Sequence, residues 1–163
     1  MDLQKEILSI IKDYPDFPKP GIIFKDICPL LAHPRALKRV VRQMAEHAED
    51  CKATQILGVE SRGFLFGVPL ALPGPIASQS YDLEYGTDHI EIQKSALADQ
   101  ARNLIVDDVI ATGGTAQAVG QLIQNSGSIV AGYSFLLELS FLNGRQLLKK
   151  IAPNAGFYSI VVI

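Results

Sequence analysis

The densest chemistry in the chain lies between Leu104 and Thr115, LIVDDVIATGGT. Three apolar residues, Leu104, Ile105 and Val106, deliver two adjacent carboxylates, Asp107 and Asp108, to the carboxyl end of a predicted buried strand. Thr112-Gly113-Gly114-Thr115 then opens a predicted helix. In open α/β sheets ligands bind at the carboxyl ends of strands, and the helix start beyond offers unpaired N–H groups to an anion. The two glycines let the backbone curl so that successive N–H groups converge on one point, and Thr112 and Thr115 add hydroxyl donors. The result is a cup for a terminal phosphate monoester, and Ala111 belongs to it. Ionised Asp107 and Asp108 only accept hydrogen bonds, so they suit a vicinal diol such as that of ribose. Read singly, the carboxylates are ordinary helix-entry residues and the glycines an ordinary loop. Their conjunction after a buried strand favours the ligand reading. Neither a Walker A loop nor a G-x-G-x-x-G fingerprint occurs, and Gly58-Val59-Glu60-Ser61-Arg62-Gly63 lacks the first glycine of a nucleophile elbow.

The elements that must hold this cup follow from hydrophobic periodicity. A first helix is predicted from Asp2 to about Lys12, and three prolines and a glycine between Tyr14 and Gly21 then argue against regular structure. A second helix spans Pro34 to Asp50, with Leu37, Val40, Val41, Met44 and Ala48 inward and Arg35, Lys38, Arg42 and Glu46 outward. Strands are predicted at Gln55–Val59, Asn103–Val106, Ile129–Leu137 and Phe157–Ile163, with helices from Phe64 to about Leu72 and from Thr115 to Asn125. Tyr81–Tyr85 and His89–Gln93 read as an antiparallel hairpin about Gly86-Thr87-Asp88. Apolar strands alternating with helices imply an α/β fold with a mostly parallel sheet covered on both faces.

Composition bounds the rest. The chain has 163 residues, 15 Lys+Arg, 17 Asp+Glu and a net charge of −2, which suits a single domain and argues against nucleic-acid binding by bulk electrostatics. Two cysteines, Cys28 and Cys51, make neither a disulfide framework nor a zinc site. His33, His47 and His89 are scattered and read as exposed structural residues, not as metal ligands. No stretch reaches the roughly 18 to 20 apolar residues of a membrane span, and the start lacks a signal-peptide pattern, so a cytoplasmic location is the default.

One stretch fits poorly. The helix from Phe64 meets Pro73-Gly74-Pro75 with no returning strand, although a βα unit normally returns to the sheet. We expect a segment to be missing near Leu72–Pro73, either deleted or absent from the sequence as written. The second is favoured, because loss of a sheet strand leaves backbone groups unpaired.

The stretch Val106–Thr115 resembles the phosphoribosyl-pyrophosphate signature of type I phosphoribosyltransferases. Four more segments narrow the resemblance to the adenine phosphoribosyltransferase family: DFPKPGIIFKD from Asp16, ESRGF from Glu60, SYDLEYG from Ser80 and EIQK from Glu91. Together they extend it over nearly the whole chain. It implies one phosphoribosyltransferase domain, 1–163, with a Rossmann-like parallel sheet, a small N-terminal hood of about 1–33, a core of about 34–163 and a β-hairpin flap. Family members carry a strand and a basic loop where this chain has the Leu72–Pro73 junction.

The resemblance implies transfer of the phosphoribosyl group of 5-phosphoribosyl-1-pyrophosphate to adenine, giving AMP and pyrophosphate with Mg2+ in a homodimer. By the same resemblance Ala111, Thr112, Gly113, Gly114 and Thr115 bind the 5′-phosphate, Asp107 and Asp108 the ribose, and Ser61 and Arg62 the pyrophosphate. A non-proline cis peptide is implied around Glu60–Ser61. Ile23, Phe24, Lys25 and Leu139 are implied for adenine; without the resemblance Ile23 and Phe24 read as core residues. Glu84, with Arg62, is implied in catalysis, and Tyr85 covers the site as part of the flap. Magnesium is expected to be carried by pyrophosphate rather than by a protein cage. The competing readings are a xanthine or hypoxanthine phosphoribosyltransferase, and a non-catalytic regulator that senses phosphoribosyl-pyrophosphate. A plain nucleotide-binding module leaves Ser80–Gly86 unexplained.

Overall fold

A computed structural model describes residues 2–60, 62–66, 76–83, 86–93, 97 and 100–163. The chain divides into two compact units, Met1–Gln43 and Met44–Ile163.

In the first unit, α1 (Leu3–Ile10) buries Leu3 and Ile7 and stops two residues before the expected end, because Lys12 already belongs to a strand. That strand, β1 (Lys12–Pro15), pairs antiparallel with β2 (Ile23–Asp26), so the proline-rich stretch is more regular than its punctuation suggests. Pro15 takes the last position of β1, opposite Ile23, where a missing N–H costs the ladder little. The connection turns at Gly21, whose φ of +86° suits glycine and whose N–H donates to Asp16 Oδ1 at 2.7 Å. Lys25 pairs with Asp13 across the ribbon at 2.7 Å. A short α2 (Cys28–Leu31), unanticipated in the sequence, buries Leu30.

The long helix α3 (Pro34–Asp50) has the expected bounds, and the division between the units falls within it. Its buried stripe is Ala36, Val40, Met44 and Ala48, in steps of four, while Val41 is exposed, contrary to expectation.

The second unit is built on a parallel sheet of order β3-β6-β7-β8: β3 (Gln55–Gly58), β6 (Arg102–Ile110), β7 (Ile129–Glu138) and β8 (Gly156–Val162). Two helices, α4 (Gly114–Asn125) and α5 (Gly144–Ile151), pack with it around a core that includes Ile105, Ile110, Val119, Ile123, Tyr133, Phe135 and Leu148. Each large apolar side chain buried there contributes about 1.5–3 kcal/mol. Near Cys51 a Cβ on Gly132 or Gly156 would lie 2.7 or 2.3 Å from the sulfur, so only glycines let the end of α3 approach the sheet. His47, expected to be exposed, is half-buried beside Cys51 and Tyr158, and burial lowers its pKa.

The hairpin comprises β4 (Ile76–Leu83) and β5 (Gly86–Gln93), both longer than expected. Leu83 pairs with Gly86, so Gly86-Thr87-Asp88 lie in β5. The expected helix from Phe64 begins as a single 3-10 turn, Gly63–Leu65; its remainder and the Leu72–Pro73 junction lie outside the described residues.

Candidate functional site

Strand β6 runs four residues further than the sequence suggests, because Val109 and Ile110 continue to pair with Leu137 and Glu138 of β7. Asp107 and Asp108 therefore sit within the strand rather than beyond its tip. Asp108 is 6% exposed. Its Oδ2 lies 2.8 Å from Arg62 Nη2, yet this buried oxygen accepts no aligned hydrogen bond, which leaves an acceptor for a hydroxyl. Asp107 Oδ1 accepts the Asp108 N–H at 2.8 Å. Burial, and then the Asp108 charge, push the Asp107 pKa to about 8, against the opposing pull of Arg62.

Beyond Ile110 the chain turns through Ala111 and Thr112 into Gly113, which adopts a φ of +88° and begins α4. The first helical bond runs from the Gln117 N–H to the Gly113 carbonyl at 2.9 Å. No side chain caps this end. The N–H groups of Gly114, Thr115 and Ala116 are thus presented at the positive end of the helix, as an oxyanion requires.

Arg62 precedes the 3-10 turn that brings Gly63 onto the acidic strand. A Cβ on Gly63 would lie 2.6 Å from the Val106 carbonyl oxygen and 2.9 Å from Asp107 Oδ1. Gly63 is thus needed to hold Arg62 beside Asp108, a role the sequence reading missed; the glycine after Glu60-Ser61-Arg62 was its signal. The Leu139 N–H donates to the Ile110 carbonyl at 2.9 Å, fixing the exit of β7 beside the start of the phosphate turn. Two more residues missed in the sequence are Glu138 and Arg145. They form a bidentate pair, Nε–Oε1 2.9 Å and Nη2–Oε2 2.5 Å, with the guanidinium 4.1 Å from the Phe157 ring centroid. Burial pushes the Glu138 carboxyl up, but the Arg145 hydrogen bonds and charge outweigh it and hold the pKa below the ordinary value.

The carboxyl edge of the sheet thus brings together Arg62, Asp107, Asp108, residues 111–115 and Leu139. Ile23, Phe24 and Lys25 lie in the Met1–Gln43 unit on β2, where Ile23 is exposed and Phe24 meets Phe17 edge-on at 5.3 Å. Ile23 and Lys25 are two apart, so their main-chain groups face the same edge of the ribbon. Ser61, Glu84, Tyr85 and the expected cis peptide at Glu60–Ser61 lie outside the described residues. Among the described residues no helix is long and apolar enough to cross a membrane.

Comparison with known proteins agrees with this geometry. The phosphoribosyl transferase domain family matches residues 29–136. The chain is similar to an adenine phosphoribosyltransferase of Synechococcus sp. (strain CC9605), with 47% identity over 94% of this chain and 95% of that one. That alignment runs over 168 positions, more than the 163 residues here, so the relative carries residues within the matched span that this chain lacks. Among solved structures, the adenine phosphoribosyltransferase of Thermoanaerobacter pseudethanolicus is similar at a TM-score of 0.88 and 39% identity, over 98% of this chain and 99% of that one. The enzyme of Saccharomyces cerevisiae, solved with an imino-altritol bisphosphate and adenine, is similar at 0.85 and 36% identity, over 97% and 98%.

Proposed function

This chain belongs to the adenine phosphoribosyltransferase family, and we propose that it joins adenine to 5-phosphoribosyl-1-pyrophosphate, releasing AMP and pyrophosphate, through the groups at the carboxyl edge of β6. The observation that carries the reading is the uncapped start of α4, close beyond a carboxylate pair whose Asp108 faces Arg62. The amides of Gly114 and Thr115, with the hydroxyls of Thr112 and Thr115, hold the 5′-phosphate beside Ala111 and Gly113. Asp107 and Asp108 accept the ribose hydroxyls. Arg62 leaves Asp108 for the pyrophosphate, Ser61 adds a second donor, and the freed Asp108 oxygens turn to the sugar.

The reaction breaks the bond between the anomeric carbon and the pyrophosphate oxygen and forms one to a purine nitrogen. Its transition state is rich in oxocarbenium character, so catalysis rests on holding the base in line and stabilising the departing anion. Leu139 packs on the base, and the roles assigned to β2 are stacking by Phe24 and reading of the base's edge by the main chain at Ile23 and Lys25. Backbone reading discriminates amino from oxo purines, since the wrong donor pattern leaves buried groups unpaired. Glu84 manages the proton at the base's imidazole nitrogens, and Tyr85 shields the site.

The acidic pair supplies hard oxygen donors. That donor set fits a magnesium ion that arrives on pyrophosphate and water. When bound, the ion neutralises leaving-group charge. A cytoplasmic homodimer belongs to the same proposal.

The test is a coupled assay for AMP formation by the intact chain, with adenine, guanine, hypoxanthine and xanthine in competition. Adenine is expected to be used in preference to the other three. Preference for an oxo purine, or donor binding without AMP formation, overturns the reading.

A further inference from the structure

Two loops meet backbone to backbone at the carboxyl edge of the sheet. A Cβ on Gly144 would lie 2.4 Å from the Ala111 carbonyl oxygen and 3.0 Å from the Gly113 nitrogen. In return, a Cβ on Gly113 would lie 3.0 Å from the Gly144 carbonyl oxygen. Gly144 is the first residue of α5 and is buried, and it has no positive φ, so space alone demands glycine there. The segment from Leu139 to Asn143 is therefore pinned to the phosphate turn at both ends: at Leu139 by its bond to Ile110, at Gly144 by this contact. The bidentate Glu138–Arg145 pair ties the same two ends together. Asn143 in the left-handed region (φ +58°) makes the last bend.

We infer that Gly144 and the Glu138–Arg145 pair are positioning residues that fix the base-side segment to the phosphate turn, so that adenine and 5′-phosphate are held in register. The inference rests on the proposed function, because Leu139 takes its role from that reading. Gly144 transmits displacement in both directions, since a side chain there pushes on the phosphate turn and on the base segment alike. The ion pair joins Glu138 at the exit of β7 to Arg145 in the first turn of α5, so weakening it loosens the base segment more than the phosphate turn. Lysine at 145 keeps the charge but loses the planar fork and the ring stacking.

The experiment measures ribose 5-phosphate binding by calorimetry and adenine KM at saturating donor for the full chain, Gly144→Ala and Arg145→Lys. Gly144→Ala is expected to weaken ribose 5-phosphate and raise adenine KM, each by roughly ten-fold or more, the scale set by small misplacements of reacting groups. Arg145→Lys is expected to raise adenine KM by about five-fold, with ribose 5-phosphate affinity and kcat changed less than about two-fold. A folded Gly144→Ala chain that loses only one of the two ligands overturns the inference. If that variant does not fold, Arg145→Lys decides, and an unchanged adenine KM, or equal loss of both ligands, overturns it. A wild-type chain that neither binds ribose 5-phosphate nor uses adenine overturns the functional reading and this inference with it. Wild-type activity alongside unaffected variants overturns the inference alone.

Discussion

Two neighbouring strand-to-helix crossings, from β6 into α4 and from β7 into α5, share one backbone device and use it differently. Each passes through a residue with positive φ, Gly113 at +88° and Asn143 at +58°, and each helix starts without a side-chain cap. At α4 the free amides face outward beside a carboxylate pair, so the helix start is available to an anion. At α5 the start is pressed onto Ala111 and Gly113, which leaves no room for one. There a 3-10 turn, Ser140–Leu142, and the Glu138–Arg145 ion pair brace the loop. Anion binding thus depends less on a helix start than on what its first turn faces.

The comparison breaks most sharply at Gly113. Gly113→Ala must adopt a left-handed φ against the Gly144 carbonyl, and steady-state kinetics are expected to show donor kcat/KM reduced by about 10²-fold, with overall helix content unchanged by circular dichroism. Next is Arg62→Met, which removes the cation facing Asp108; donor kcat/KM is expected to fall by roughly 10-fold or more, and the loss should be larger for donor than for ribose 5-phosphate.

Asp107 gives a pH signature opposite in sign to that of Glu138 at the α5 crossing. Its native pKa is raised above the unfolded value, so the native state binds the extra proton between an ordinary carboxylate pKa and about 8. Stability from this group is full below that window and is lost as pH rises through it. Melting temperature of the ligand-free chain should therefore decline with rising pH across the window, and Asp107→Asn should flatten the slope. Ribose binding favours the ionised acceptor, so calorimetry in buffers of different ionisation enthalpy should detect proton release near pH 7, absent in Asp107→Asn. The smallest effect belongs to Asn143→Ala, which costs about 1–2 kcal/mol of stability by thermal melting and leaves ribose 5-phosphate affinity unchanged.

The turn into α4 was legible because Thr112-Gly113-Gly114-Thr115 announces a curled helix start by its types and order. The parallel sheet was legible because β7 is an almost unbroken apolar run. The α5 crossing was not, because its chemistry is one of approach distances: nothing in Asn143-Gly144-Arg145 reveals that Gly144 meets another loop, or that Glu138, seven residues before Arg145, is its partner. The same limit hid β1 and β2, where proline at a strand end looked like a breaker, and the end of β6, where pairing with β7 carried the strand through two carboxylates. Val41 was misjudged because periodicity fixes a helical stripe only to within a residue, and tertiary contact chose the stripe through Ala36 and Val40.

The central claim is that the α4 amides grip the sugar phosphate. Titration of the 15N-labelled chain with ribose 5-phosphate, followed by amide chemical shifts, tests it directly. The largest saturable shifts are predicted at Gly113, Gly114, Thr115 and Ala116. Binding that leaves these four amides unmoved while others shift contradicts the account.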